Sequence, residues 1–258
     1  MSKKVIQGCF YLDSCVVLSE ILGDNKTRME KFKQDVNNHN INCYVSSSVV
    51  TECDYLIKKT INFLDFVLKN VIVTYLEGIR TKPRDLGVTQ VSNEDLHIVK
   101  EAFMEVNQAA RRFDLITDPF QAVEEWLVEK LDKEVEKSKR GMLGDFVVLL
   151  TAAILEEINK MQSDFETLVD LEASYITKST HSPDRPIIDL LLQNGIHTTD
   201  AVHISVVASH QRANSSRAVF LTFDYKTILL HWARIQSADN RLKNIVCCDP
   251  IYGLSYLR

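Results

Sequence analysis

Short apolar runs rich in β-branched and aromatic side chains alternate along this chain with longer stretches whose apolar residues recur every three to four positions. The first pattern suits buried strands and the second amphipathic helices. Val5 to Leu12 is the first such run, closed by the polar pair Asp13 and Ser14. Val16, Val17, Leu18, Ile21 and Leu22 then carry a helix for which Gly23 is the natural stop. A second helix is expected over Met29 to Asn40, and Ile41 to Val45 predicts a second strand. A serine at 46, 47 or 48 can cap the helix that follows, because its hydroxyl accepts from a backbone N–H that has no partner in the first turn. Val49, Val50, Leu56 and Ile57 supply that helix with its apolar face, and Glu52 lies about one turn in. Val71 to Tyr75 fits a short strand or the tail of the same helix equally well.

From there to about His181 the pattern is helical and highly charged. Asp118 before Pro119 resembles a helix start, and Phe146 to Leu155 reads as a buried helix. Thr180 to Pro186 is the clearest punctuation. Beyond it a helix is expected over Ala201 to His210, a strand over Ala218 to Phe223, a helix from Tyr225 to about Ile235 and a last strand near Asn244 to Cys248. Strands alternating with helices predict an α/β fold, a central parallel β-sheet flanked by helices. Ligands in such sheets sit beyond the carboxyl ends of the strands.

Composition narrows the class without naming a function. With 258 residues, 45% of them hydrophobic and 25% charged, the chain is long enough for one large domain or a smaller domain with a substantial insertion. The net charge of −5 provides no general attraction for phosphate, so nucleic-acid binding would need a local basic patch or bound cations. None of the six cysteines has the CxxC spacing of a zinc or dithiol site. Buried free thiols in a reducing cytoplasm are the expectation. Gln7 and Asp13 interrupt the apolar start, against a secretory signal, and Phe146 to Leu155 is too short to cross a bilayer.

Four carboxylates share one local grammar, each standing at the boundary of an apolar strand or helix: Asp13 in YLDSC, Glu52 in SSSVVTEC, Asp200 in HTTDAVHISVVA and Asp224 in VFLTFD. Any one of them has a structural explanation, since an acid at a helix N-terminus gains ~0.3 to 1 kcal/mol from the helix dipole. Gathered in one cleft they would repel, and a divalent cation relieves that repulsion. Oxygen donors of this kind suit Mg²⁺ or Mn²⁺, ions that also accept phosphate oxygens.

The order of the four resembles the PIN domain family of metal-dependent ribonucleases. Supporting details are Ser46 to Ser48 before the helix of Glu52, His203 three residues after Asp200, and Thr222 two residues before Asp224. The resemblance implies a PIN-like nuclease core from residues 1–75 and 185–258, with 76–184 a mostly α-helical insertion packed on it. It implies hydrolysis of RNA phosphodiester bonds with Mg²⁺ or Mn²⁺ held by Asp13, Glu52, Asp200 and Asp224, and supporting roles for Ser46 and Thr222. Arg212, Arg217 and Lys226 are candidates for RNA contact because they lie in the segment that bears Asp200 and Asp224. His203, set between Val202 and Ile204, reads mainly as a packed, hydrogen-bonded residue. A zinc site from His197, Asp200 and His203 lacks a cysteine or a further close histidine.

Many small members of that family are toxins held inactive by a partner protein, and many dimerise. This chain departs from them by its insertion, which leaves a toxin role, an inhibitory partner and a homodimer as open alternatives. A structure-specific DNA nuclease and a non-catalytic RNA-binding or scaffold protein are rival readings. A haloacid-dehalogenase phosphatase would need a second aspartate two residues after Asp13, where Cys15 stands. No membrane association is expected, and the location expected is the cytoplasm.

Overall fold

The computed structural model describes residues 8–22, 25–80, 143–169, 175–214 and 217–257, together with 92, 94 and 97. The helix stop at Gly23, the Asp118–Pro119 start and most of the charged helical middle fall outside these residues. Strand β1 (Gly8–Leu12) leads into α1 (Ser14–Leu22) and α2 (Lys26–His39), and β2 (Asn42–Val45) into α3 (Ser47–Arg80). Val71 to Tyr75 is therefore helix, the tail of α3. The chain continues through α4 (Leu143–Val169), β3 (Ile176–Lys178), α5 (Arg185–Gln193), α6 (Thr198–Asn214) and β4 (Arg217–Leu221). A π-helical turn (Tyr225–Leu229), α7 (Trp232–Ala238), β5 (Val246–Cys248) and α8 (Gly253–Leu257) complete it. The single helix expected from Tyr225 to Ile235 is thus two pieces, because Asp224 caps the π-helical turn and the chain restarts at Trp232.

All four strand pairings are parallel, in the order β3-β2-β1-β4-β5. Strand order runs one way from β1 to β3 and the other way from β4 to β5, so the topological switch point lies between β1 and β4. Right-handed crossovers then require helices on both faces of the sheet. Side-chain alternation along β1 agrees. Cys9 and Tyr11 pack with Ala218, Phe220 and Cys247 against Ile187 and Leu191 of α5, Ile204 and Val207 of α6, and Trp232 and Ile235 of α7. Phe10 turns to the opposite face, where its ring lies 5.8 Å from that of Phe32 on α2. A Cβ on Gly253 would come within 3.0 Å of Phe10 and Leu221, so glycine lets α8 close down on β1 and β4 there.

The chain forms two compact units. One, Met1–Tyr55 with Asp164–Arg258, contains the whole sheet; the other is Leu56–Ser163. Their boundaries fall inside α3 and α4, and β3 lies within the 76–184 stretch expected to be helical insertion. A three-residue strand with one buried side chain leaves little pattern to read. In the second unit, Ile57 and Phe63 of α3 and Met161 of α4 are buried. The helix expected over Phe146 to Leu155 is present within α4, and of its described side chains Val148 is 66% and Leu155 44% exposed. The two are seven residues apart, hence on one face of α4, and that face is uncovered.

All six cysteines are free, and only Cys15 is less than fully buried. Among the described residues no helix is long and apolar enough to cross a membrane.

Candidate metal centre

Each proposed carboxylate reaches the switch point by a different piece of local structure. Asp13 follows β1 directly, and its backbone N–H donates to the Leu221 carbonyl at the end of β4 at 3.0 Å, which stitches the two strand ends together. Thr222 follows β4, and its N–H donates to the Cys248 carbonyl of β5 at 3.1 Å. Glu52 rides on α3, whose start is fixed by Ser46: the Ser46 hydroxyl accepts from the Val49 N–H at 3.2 Å and contacts the Ser48 hydroxyl at 2.8 Å. Asp200 is the third residue of α6.

Asp13 is the anchor. It is only 3% exposed, and both oxygens are held. Oδ1 accepts from the Ser14 N–H at 2.8 Å and from His203 Nδ1 at 3.4 Å; Oδ2 accepts from the Thr222 hydroxyl at 2.6 Å and from the Cys15 thiol at 3.2 Å. Burial alone would raise its pKa, but the His203, Thr222 and Cys15 contacts outweigh burial and hold the carboxyl below its usual value. Asp13 therefore stays charged inside the protein.

The other carboxylates face the consequence. Asp200 is pushed up to about 7 by burial and then by the charge of Asp13, with Asp224 and Glu52 adding to the rise and His203 opposing it. Burial also raises Glu52, against the pull of His203 and Ser14 and with the help of the Asp13 charge. Asp200 thus feels the other three acids. Asp13, Asp200 and His203 each offer a ligand atom, all within 4.8 Å of one another, so this group has the donors to hold a metal ion.

The fit to a cation rests on two atoms. Glu52 Oε2 and His203 Nε2 are both buried and both lack a hydrogen-bond partner, and they lie 3.7 Å apart. A buried polar atom without a partner costs ~1 to 3 kcal/mol, so native proteins seldom keep two unless something else satisfies them. A cation shared by the two would do so.

Asp224 stands slightly apart. Its N–H donates to the Thr222 hydroxyl at 2.9 Å and its Oδ1 accepts from the Thr227 N–H at 2.8 Å, capping the π-helical turn. Thr222 is the link, since its hydroxyl donates to Asp13 while accepting from Asp224. Ser46 touches none of the carboxylates in the contacts described and acts on Glu52 through the helix start. His203 is 1% exposed, as a packed residue would be, but it packs between the Asp13 and Glu52 carboxylates.

The basic candidates separate. Lys226 is exposed two residues beyond Asp224. Arg217 begins β4, about 13 Å along the strand from its carboxyl end. Arg212 lies in the last turn of α6, about 18 Å along the helix from Asp200, and pairs with Asp184. Both arginines are therefore at the other end of the sheet. Two residues near the site were not readable from sequence. Cys15 donates to Asp13 and its sulfur accepts from the Phe223 N–H at 3.2 Å. Arg28 of α2 lies 5.9 Å from the centre of the Phe223 ring, next to Asp224, and pairs with Asp249 at 3.1 Å. The Phe223 contact of Cys15 and both partners of Arg28 lie some two hundred residues away in sequence, with no local signal to announce them.

No known protein family, curated protein or solved structure matches this chain. The site stands on its own geometry.

Proposed function

We propose that the chain is a metal-dependent endoribonuclease of the PIN-domain type, with Asp13, Glu52 and Asp200 holding the cation and Asp224 supporting it directly or through water. The observation that carries the reading is the convergence of these acids at the switch point between β1 and β4, around two buried donor atoms with no partner. Oxygen donors dominate the set, which favours Mg²⁺ or Mn²⁺. When bound, such a cation supplies Lewis-acid chemistry for phosphodiester hydrolysis. Asp13 provides a fixed negative charge, Thr222 and Cys15 hold its second oxygen, and the Ser46 cap sets the height of Glu52 on α3. The substrate must reach this acidic floor past its repulsion; among the described residues Lys226, two positions beyond Asp224, and Arg28, over the Phe223 ring, are cations placed to offset it.

RNA is preferred to DNA on the family resemblance alone. The deciding experiment is cleavage of single-stranded RNA and of branched DNA by the purified chain, with Mg²⁺, with Mn²⁺ and with EDTA. Cation-dependent endonucleolytic cuts in RNA are expected. Cleavage confined to branched DNA would favour the structure-specific nuclease, and cation binding without any cleavage the scaffold reading.

A second expectation concerns the path of the substrate. Lys226→Glu and Arg28→Glu should each weaken RNA binding and lower the slope of log affinity against log salt by about 0.7, whereas Arg217→Glu should leave both near wild type. A salt titration by fluorescence anisotropy checks this; an Arg217 effect as large as that of Lys226 would place the path elsewhere.

A further inference from the structure

The four carboxylates do not account for the chemistry of His203. His203 is 1% exposed, buried in a cluster of acids, with an Nε2 that meets no hydrogen-bond partner. Its other nitrogen is committed. Asp13 Oδ1 already accepts from the Ser14 N–H at 2.8 Å and lies 3.4 Å from Nδ1, so Nδ1 is the ring nitrogen that donates to it. In the neutral ring this leaves Nε2 as a bare lone pair. Nε2 lies 3.7 Å from Glu52 Oε2, which is also buried and also without a hydrogen-bond partner. Two acceptors facing each other cannot satisfy one another. Two donors to one cation, at roughly 2.0 to 2.2 Å each, stand roughly 3 to 4 Å apart, which matches this gap.

We propose that His203 is a direct ligand of the cation through Nε2, shared with Glu52 Oε2, and that Asp13 orients the imidazole through Nδ1. The arrangement is a carboxylate–histidine–metal relay, in which the carboxylate fixes the tautomer and aim of the ring. It rests on the reading of this cluster as a cation site, moves Asp13 from ligand to support of the His203 ring, and changes which ion the site takes. An imidazole donor suits first-row transition ions, whereas Mg²⁺ takes oxygen donors and dehydrates reluctantly. The site is therefore built for a transition ion of the manganese, cobalt or zinc class, in preference to Mg²⁺.

The test uses the whole chain and the metal alone. Mn²⁺ is added to EDTA-stripped protein carrying ¹⁵N-labelled histidine or natural histidine, and electron spin-echo spectroscopy reads nitrogen coupled to the bound ion. Coupling that changes with the histidine label is expected in the wild-type protein and requires no variant. Calorimetry should show Mn²⁺ bound at least about tenfold more tightly than Mg²⁺, a preference that collapses in His203→Gln, which offers an oxygen donor instead. Mn²⁺ bound without histidine coupling would overturn the proposal and leave the carboxylate site intact. Coupling or an ion preference that persists in His203→Gln would assign the nitrogen to another histidine and overturn it too. Absence of any cation binding would overturn both this proposal and the function it rests on.

Discussion

Asp13→Asn should lower cation-dependent RNA cleavage on the order of a thousandfold while the chain still folds. The magnitude follows from position. Asp13 is the most deeply buried of the acids described and the one whose charge is kept, and Asp200 and Glu52 both respond to it. Asparagine preserves the volume but removes the charge, and its amide N–H₂ must face a donor, either Thr222 or His203 Nδ1, where an oxygen stood. A factor of a thousand corresponds to about 4 kcal/mol of lost transition-state stabilisation. Loss of one charge-assisted hydrogen bond should cost the fold about 1.5 to 3 kcal/mol. The sign with pH is fixed as well. Because the folded pKa lies below the unfolded one, the stability that Asp13 contributes is present above the unfolded value of 3.8 and is lost as pH falls through the folded pKa. Neutral pH is thus where the variant should differ most from the wild type. Single-turnover cleavage beside a denaturant melt separates the two effects, and a well-folded variant that cleaved at the wild-type rate would remove Asp13 from the site.

The parts of this site that could be read from the chain are those whose cause is local. Asp13, Glu52, Asp200 and Asp224 were visible because each closes a strand or opens a helix, and such boundaries show in the apolar pattern within a few residues. Parallel strands flanked by helices followed for the same reason. Strand order did not, since nothing in β1 specifies that its neighbours are β2 and β4. The grouping of Arg212 and Arg217 with the acids shows the same limit from the other side: nearness in sequence is undone by the length of α6 and β4, which carry them to the far end of the sheet. His203 is the sharpest case. Its neighbours Val202 and Ile204 correctly announce burial, but what it is buried against is set by Asp13 and Glu52, on other elements. Local pattern reports how deep a side chain lies and is silent about its partners.

Without metal, Asp200→Asn should make the protein more stable at pH 8, by roughly 2 to 4 kcal/mol, although it removes a proposed ligand. Asp200 is pushed up to about 7 from 3.8, first by burial and then by the Asp13 charge. A group raised in this way contributes stability that is fully present below the unfolded pKa and is lost as pH rises through the folded value. The stripped wild-type protein should therefore weaken between about pH 4 and pH 7, as Asp200 is forced to ionise beside Asp13. Glu52 shifts in the same direction and deepens the slope. Asparagine cannot ionise, so the variant should keep the low-pH stability of this site to pH 8, and the two proteins should converge near pH 4. Saturating cation should reverse their order. Binding at a thousand times the dissociation constant stabilises the wild type by about 4.1 kcal/mol, enough to offset the deficit, and the variant, short of one ligand charge, should gain little. Denaturant melts in EDTA and in Mn²⁺ across pH 4 to 8 would read both arms. A variant less stable than wild type at pH 8 in EDTA would mean that Asp200 is not crowded by the other acids. That result would dissolve the cluster itself, since the same repulsion that costs stability in the stripped protein is what a bound cation has to relieve.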